Sequence, residues 1–77
     1  MTVYVKTWCP WCIDALQWLK SRGIEHRVVD VIADPAGYAR MRKISGQSLT
    51  PTLEMPDGAV LADFDVVQLE HFLQSRE

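Results

Sequence analysis

The sequence predicts an α/β fold of one domain over residues 1–77, with elements in the order β-α-β-α-β-β-α. Three observations predict it: short alternating or β-branched apolar runs, apolar residues at helical spacing between them, and a length of only 77 residues. A chain of this length forms one hydrophobic core with short connections. Because strands joined through a helix run parallel whereas a hairpin is antiparallel, we expect a mixed sheet of about four strands.

The first half of the chain predicts a strand, a helix and a second strand. Residues 2–6 alternate between valine and other side chains, which is typical of a strand. The pair Cys9-Pro10 predicts a helix start, because proline is pre-organised for the first helical position and lacks only an N–H that would be unpaired there. Gly23 predicts the end of that helix. Residues 25–32 contain a β-branched run that is typical of a parallel strand buried on both faces.

A short helix and a hairpin are predicted next. The Asp-Pro pair at residues 34–35 repeats the signature of a helix start, and the helix is expected to reach about Lys43 and to be closed by Gly46. Residues 52–55 and 59–61 predict the two strands of a hairpin, because a Pro-Asp-Gly turn separates them.

The last helix is expected to begin at Asp63 or Asp65, since either carboxylate can accept hydrogen bonds from the N–H groups of a first helical turn. Apolar residues then recur at helical spacing, which predicts an amphipathic helix with one buried side. That side consists of Val66, Leu69, Phe72 and Leu73.

Composition excludes several classes of protein. Eight Lys and Arg against ten Asp and Glu, with a pI near 5.6, leave no basic face for nucleic acid, so we expect no such partner. The apolar runs are only a few residues long, so we expect no membrane span, and the start of the chain lacks the pattern of a secretory signal. Two cysteines cannot build the framework of several disulfides that secreted mini-proteins use. We therefore expect a cytoplasmic protein.

The two cysteines fall where the first strand ends and the first helix begins. Cys9, at or beside the N-cap, faces unpaired N–H groups and the positive end of the helix dipole, both of which favour a thiolate. Cys12 shares a helix face with apolar residues, so we expect it to be buried, with a raised pKa. Lys6 is expected to add a positive charge near Cys9. Because one helical turn separates the two sulfurs, they can close a disulfide, which predicts a redox-active pair.

A structural pair of buried cysteines and a metal site are the alternatives that use the same residues. The Pro-Trp insert between two cysteines at a helix start does not favour a purely structural pair. A zinc site would need two further ligands, and only His26 and His71 are available as further Cys or His ligands. The predicted elements place these two histidines apart from Cys9, so we expect no metal.

With these residues the sequence resembles the glutaredoxin family of the thioredoxin fold over essentially its whole length. The resemblance rests on a Cys-Pro-aromatic-Cys motif after the first strand, on Lys6 three residues before it, and on Thr50-Pro51 ahead of the third strand. It implies a thioredoxin-like three-layer sandwich in which Cys9 is the nucleophile, Cys12 is the resolving thiol, and Pro51 is a cis-proline that faces them. It also implies that the backbone N–H and C=O of Thr50 are free to pair with an extended substrate segment.

The resemblance further implies a thiol-disulfide oxidoreductase that reduces protein or glutathione mixed disulfides, holds no bound cofactor, acts as a monomer and uses glutathione as co-substrate. In glutathione-using members a Gly-Gly pair and then a polar residue precede the last helix. Here residues 61–65 are Leu-Ala-Asp-Phe-Asp, and the polar position falls on Phe64 in one alignment and on Asp65 in another. The residues expected to bind substrate or glutathione are Lys6, Trp11, Thr50, Pro51, Asp63 and Asp65.

Two other functions stay open. A related redoxin group is recharged by thioredoxin reductase, donates electrons to ribonucleotide reductase and also lacks the full Gly-Gly pair, although its usual motif is not Cys-Pro-aromatic-Cys. Some glutaredoxins form a dimer that binds an iron–sulfur cluster through the first cysteine and glutathione. The proline after Cys9 makes binding of an iron–sulfur cluster less expected.

Overall fold

The computed structural model describes residues 1–76 and contains seven helices and strands. They are β1 (Thr2–Val5), α1 (Pro10–Ser21), β2 (Arg27–Asp30), α2 (Pro35–Ser45), β3 (Thr52–Glu54), β4 (Val60–Ala62) and α3 (Val66–Gln74). The strands form one sheet in the order β2-β1-β3-β4, in which β1 and β2 are parallel and the other two pairs are antiparallel. The predicted order of elements and the mixed four-stranded sheet are confirmed.

Side chains of β1 alternate between the two faces of the sheet and so contribute to two cores. Val3 and Val5 point to the side of α1 and α3, whereas Tyr4 points to the side of α2. The larger core consists of Val3, Val5, Cys9, Cys12, Ala15, Leu19, Leu53, Phe64 and Leu69. The smaller core consists of Tyr4, Val31 and Met41. The molecule is therefore a three-layer sandwich, and both cysteines belong to its larger core.

The helix ends follow the local sequence closely. Cys9 is the N-cap of α1 and Pro10 its first residue, and Gly23 follows the helix in the left-handed conformation with φ of 66°. Asp34 caps α2 in the same way, and Gly46 ends it with φ of 70°. The predicted starts of both helices are confirmed. The longest helix, α1, has 12 residues, and among residues 1–76 no helix has the length and hydropathy needed to cross a bilayer.

The prediction for the second strand was wrong in length and in burial. The strand covers Arg27–Asp30 rather than residues 25–32, and it lies at the edge of the sheet, where Val28 is 50% exposed. It ends early because Asp30 Oδ1 accepts the N–H of Ile32 at 2.9 Å, which turns the chain away from the sheet. Ile32 is consequently 55% exposed. A β-branched run alone did not distinguish an edge strand from a central one.

Candidate active site

Both cysteines lie at the beginning of α1, directly after the carboxyl end of β1. Cys9 adopts an extended backbone conformation as N-cap, and its Sγ accepts the N–H of Cys12 at 3.3 Å. The carbonyl oxygen of Cys9 accepts the N–H of Ile13 at 3.0 Å, which begins the hydrogen bonding of the helix. The sulfur of Cys9 therefore occupies the position that a capping oxygen usually takes.

The loop before β3 brings Thr50 and Pro51 against Cys9. The Thr50–Pro51 peptide bond is cis, as the family resemblance implies, and the Pro51 side chain is fully buried. The Cys9 thiol donates to the carbonyl oxygen of Thr50, with 3.6 Å between sulfur and oxygen. The N–H of Thr50 donates to no acceptor within residues 1–76. Of the two backbone groups predicted to be free, the N–H is free, whereas the carbonyl is occupied for as long as Cys9 keeps its proton.

Hydrogen bonds at the Cys9 sulfur favour its ionised form. Burial, the largest single influence, raises the pKa of the Cys9 thiol. Hydrogen bonds lower this pKa, because each stabilises the thiolate. Two of them come from the thiol and the N–H of Cys12, and a third comes from the side chain of Thr50. Their combined effect is larger, so the pKa of Cys9 lies below its ordinary value of 9.0.

Cys12 is the protonated member of the pair. Its side chain is only 1% exposed, and burial is the main reason why the pKa of Cys12 rises to about 11. The second reason is its hydrogen bond with Cys9, since donation to the neighbouring sulfur holds the proton on Cys12. When one proton is removed from the pair, it therefore leaves Cys9.

Lys6 contacts the loop that precedes Thr50. Its ammonium group donates to the carbonyl oxygen of Ser48 at 3.4 Å, in the loop that leads to Thr50. The main influences that lower the pKa of Cys9 are hydrogen bonds from Cys12 and Thr50. In this geometry Lys6 joins the end of β1 to the cis-proline loop.

Exposed apolar side chains flank the nearly buried Cys9. Trp8 is 65% exposed and Trp11 is 59% exposed, although tryptophan is among the side chains that folded proteins bury most. Leu49, directly before Thr50, is 52% exposed. Trp8, Trp11 and Leu49 are called the apolar rim below. Sequence reasoning did not single out Leu49, and the only pattern that could have indicated it is a large apolar residue directly before the Thr-Pro pair.

The segment before α3 contains Asp63, Phe64 and Asp65, which differ in burial and in backbone conformation. Phe64 is buried, and its N–H donates to the carbonyl oxygen of Pro51 at 3.4 Å, so it cannot supply a polar contact from its side chain. Asp65 is the N-cap, and its carboxylate and the side chain of Gln68 each accept the other's backbone N–H in a capping box. Asp63 has φ of 53°, a conformation that favours glycine. Asp65, rather than Asp63, therefore begins the helix.

No cluster suited to a metal ion occurs among residues 1–76, in which no three His, Cys, Asp or Glu side chains converge. His26 precedes β2, and its Nδ1 lies 2.8 Å from the carbonyl oxygen of Ile24. His71 lies in the last turn of α3. The two histidines thus lie in separate parts of the fold.

Solved structures with the same fold are known at 30% sequence identity. The crystal structure of the thioredoxin-like protein BC3987 has a TM-score of 0.81, over 91% of this chain and 94% of that one. A mutant of the same protein gives a TM-score of 0.83, over 94% of this chain and 96% of that one. The fold and the cysteine pair define a thioredoxin-like protein of thiol redox function.

Sequence comparison shows to which family within this class the chain belongs. The model of the Glutaredoxin family matches residues 1–60. An "uncharacterized glutaredoxin-like 8.6 kDa protein in rubredoxin operon" of Clostridium pasteurianum is 29% identical over 94% of this chain and 95% of its own. A glutaredoxin of Neisseria meningitidis serogroup B is 30% identical over 91% of this chain and 84% of its own. The chain belongs to the glutaredoxin family.

Proposed function

We propose that this protein is a thiol-disulfide oxidoreductase that reduces protein or glutathione mixed disulfides through Cys9 and Cys12. The observation that carries the proposal is the position of Cys9 Sγ, which accepts the N–H of Cys12 at the start of α1 and has a lowered pKa, beside a Cys12 that keeps its proton. The Cys9 thiolate attacks one sulfur of the substrate disulfide and forms a Cys9–substrate disulfide. The bond between the two substrate sulfurs breaks, and the second sulfur leaves as a thiolate.

Cys12 completes the reaction. Because the pKa of Cys12 is about 11, its proton must be taken up as it attacks, and the thiolate released in the first step is a base that can accept it. Cys12 Sγ attacks Cys9 Sγ, the Cys9–substrate bond breaks, and the remaining substrate sulfur leaves as a thiolate. The substrate gains two electrons, and the Cys9–Cys12 pair loses them on forming its disulfide. No bound cofactor is required, because the sulfur pair itself stores the electrons.

The surroundings of Cys9 support docking of an extended substrate segment. The free N–H of Thr50 is a donor for the backbone of such a segment. The apolar rim supplies aromatic and aliphatic surface that is enriched in protein interfaces. We place the activity in the cytoplasm, where cellular reductants keep thiols reduced, and we propose a monomer as the active form.

Glutathione is our proposed reductant. One glutathione thiolate opens the Cys9–Cys12 disulfide by attack on Cys9, and a second releases Cys9 as oxidised glutathione forms. The glutaredoxins among the relatives and the polar Asp65 at the start of α3 support this assignment. A flavoprotein reductase is the second candidate, because the capping box occupies the N–H groups of Asp65 and Gln68 that would otherwise be free to bind a carboxylate of glutathione.

An NADPH-coupled assay tests the function and the reductant together. The protein and a small disulfide are supplied either with glutathione and glutathione reductase or with thioredoxin reductase alone, and a Cys9→Ser variant provides the background. We expect NADPH consumption in proportion to wild-type protein in the glutathione assay. NADPH consumption with thioredoxin reductase alone would show that this flavoprotein, and not glutathione, is the reductant. Background rates in both assays would contradict the oxidoreductase itself.

A further inference from the structure

A closed set of hydrogen bonds fixes the residue that precedes Thr50. Gln47 Oε1 accepts the N–H of Leu49 at 2.5 Å, and Gln47 Nε2 donates to Thr52 Oγ1 at 3.0 Å. Thr52 Oγ1 in turn donates to the carbonyl oxygen of Leu49 at 2.9 Å. The Gln47 side chain, the Thr52 hydroxyl and the Leu49 backbone thus form a closed ring, called the Gln47 ring below.

The Gln47 ring joins three parts of the chain. The second proton of Gln47 Nε2 is donated to Ser45 Oγ at 2.8 Å, at the end of α2, and Ser45 Oγ donates to the carbonyl oxygen of Met41 at 2.5 Å. Thr52 is the first residue of β3 and is fully buried, so it is a fixed point of the sheet. Every polar atom of the Gln47 side chain has a partner within the protein.

The ring determines which backbone groups remain available to a partner. Both polar backbone groups of Leu49 are bonded to side chains, so a docking segment cannot pair with Leu49. The next residue, Thr50, keeps a free N–H and lies with its carbonyl oxygen 3.6 Å from Cys9 Sγ. Of the two residues directly before Pro51, Thr50 and not Leu49 therefore offers a free N–H to an incoming strand, and pairing at Thr50 carries its disulfide to Cys9.

We propose that Gln47 is a positioning residue that sets the register in which extended disulfide substrates dock, without taking part in the sulfur chemistry. This inference rests on the proposed function and concerns only the docking step of that reaction. Loss of the ring frees the Leu49 backbone and lets the loop shift, so the Thr50 N–H is no longer held in place and a peptide binds more weakly in the productive register. A small disulfide has no backbone to align, so its reduction does not depend on the ring.

Two substrates with the same leaving thiol separate docking from chemistry. One is a synthetic peptide whose cysteine is disulfide-bonded to mercaptoethanol, and the other is bis(hydroxyethyl) disulfide. For Gln47→Ala and for Thr52→Val we expect KM for the peptide to rise about tenfold, as for the loss of about 1.4 kcal/mol of binding free energy. We expect kcat for the peptide and the rate for the small disulfide to stay close to wild type.

Two further variants distinguish positioning from general damage. Thr52→Ser keeps the hydroxyl of the ring and is expected to restore the wild-type KM for the peptide. Leu73→Ala removes packing near the end of α3, far along the chain from the ring, and is expected to lower stability without changing the ratio of the two activities. Equal loss on both substrates in Gln47→Ala, or an unchanged peptide KM, overturns the inference. A wild-type protein inert toward both substrates overturns the proposed function instead, and the inference with it.

Discussion

Cys9→Ser is expected to reduce disulfide reduction to the uncatalysed background, because a serine hydroxyl does not ionise in the range where the lowered pKa of Cys9 makes a thiolate available. Cys12→Ser is expected to behave differently. It keeps the N–H that donates to Cys9 Sγ, so the first attack still takes place. Without the resolving thiol, and when no glutathione is present to take its place, the Cys9–substrate disulfide accumulates. The coupled NADPH assay measures the rates, and intact-protein mass spectrometry measures the covalent adduct.

The two serine variants serve as each other's control, since each removes one sulfur from the same buried pair. Adduct on Cys12→Ser together with none on Cys9→Ser assigns the nucleophile to Cys9. An adduct on Cys9→Ser, or equal residual turnover in both variants, would contradict the assignment. Thermal unfolding of both variants excludes loss of the fold as the cause of lost activity.

Leu53→Ala is expected to cost the protein a large share of its stability. Leu53 is fully buried in β3, where it pairs with Val3 of β1 and Leu61 of β4 and packs in the larger core. Replacing a buried leucine by alanine costs about 2–5 kcal/mol, because apolar contacts are lost and a cavity remains. A domain of this size has a free energy of unfolding of only about 5–15 kcal/mol, so the loss is a large share of the total. Urea unfolding of the reduced protein measures it.

Val67→Ala is the matched control for that variant, since Val67 lies on α3 with 64% of its surface exposed. A substitution at such a position is expected to change the free energy of unfolding by less than about 0.5 kcal/mol. Similar effects of Leu53→Ala and Val67→Ala would contradict the position of Leu53 at the centre of the core.

Helix starts and the placement of the cysteines could be predicted because they depend on neighbours in the sequence. The proline that follows Cys9 predicts the start of α1 from local conformational preference alone, and the N-cap position of Cys9 follows from it. Part of the lowering of the pKa of Cys9 follows in turn from that position, through its hydrogen bonds with Cys12, whereas the part from Thr50 depends on a distant loop. The hydrogen bond between Lys6 and Ser48 depends instead on the direction of a long side chain, which the sequence does not fix.

Features that depend on distant contacts could not be predicted in the same way. The exposure of β2 follows from the strand order, and Phe64 is buried because it packs against distant residues of the larger core. Only about 5–6% of X-Pro bonds in folded proteins are cis, so the residues around Pro51 did not indicate its cis bond, and the family resemblance did. The Gln47 ring closes only when β3 and the loop before it are in place, so a glutamine in a loop gave no indication of its role.

The proton asymmetry between Cys9 and Cys12 is tested most directly by titrating the two thiols separately. Carbon-13 chemical shifts of the labelled cysteine Cβ atoms, followed in the reduced protein as pH rises, report the ionisation of each side chain without any need for reagent access. The predicted result is that Cys9 ionises first, below its ordinary pKa of 9.0, while Cys12 ionises only near pH 11. Ionisation of both thiols together, near the pKa of free cysteine, would contradict the proposed division between nucleophile and resolving thiol.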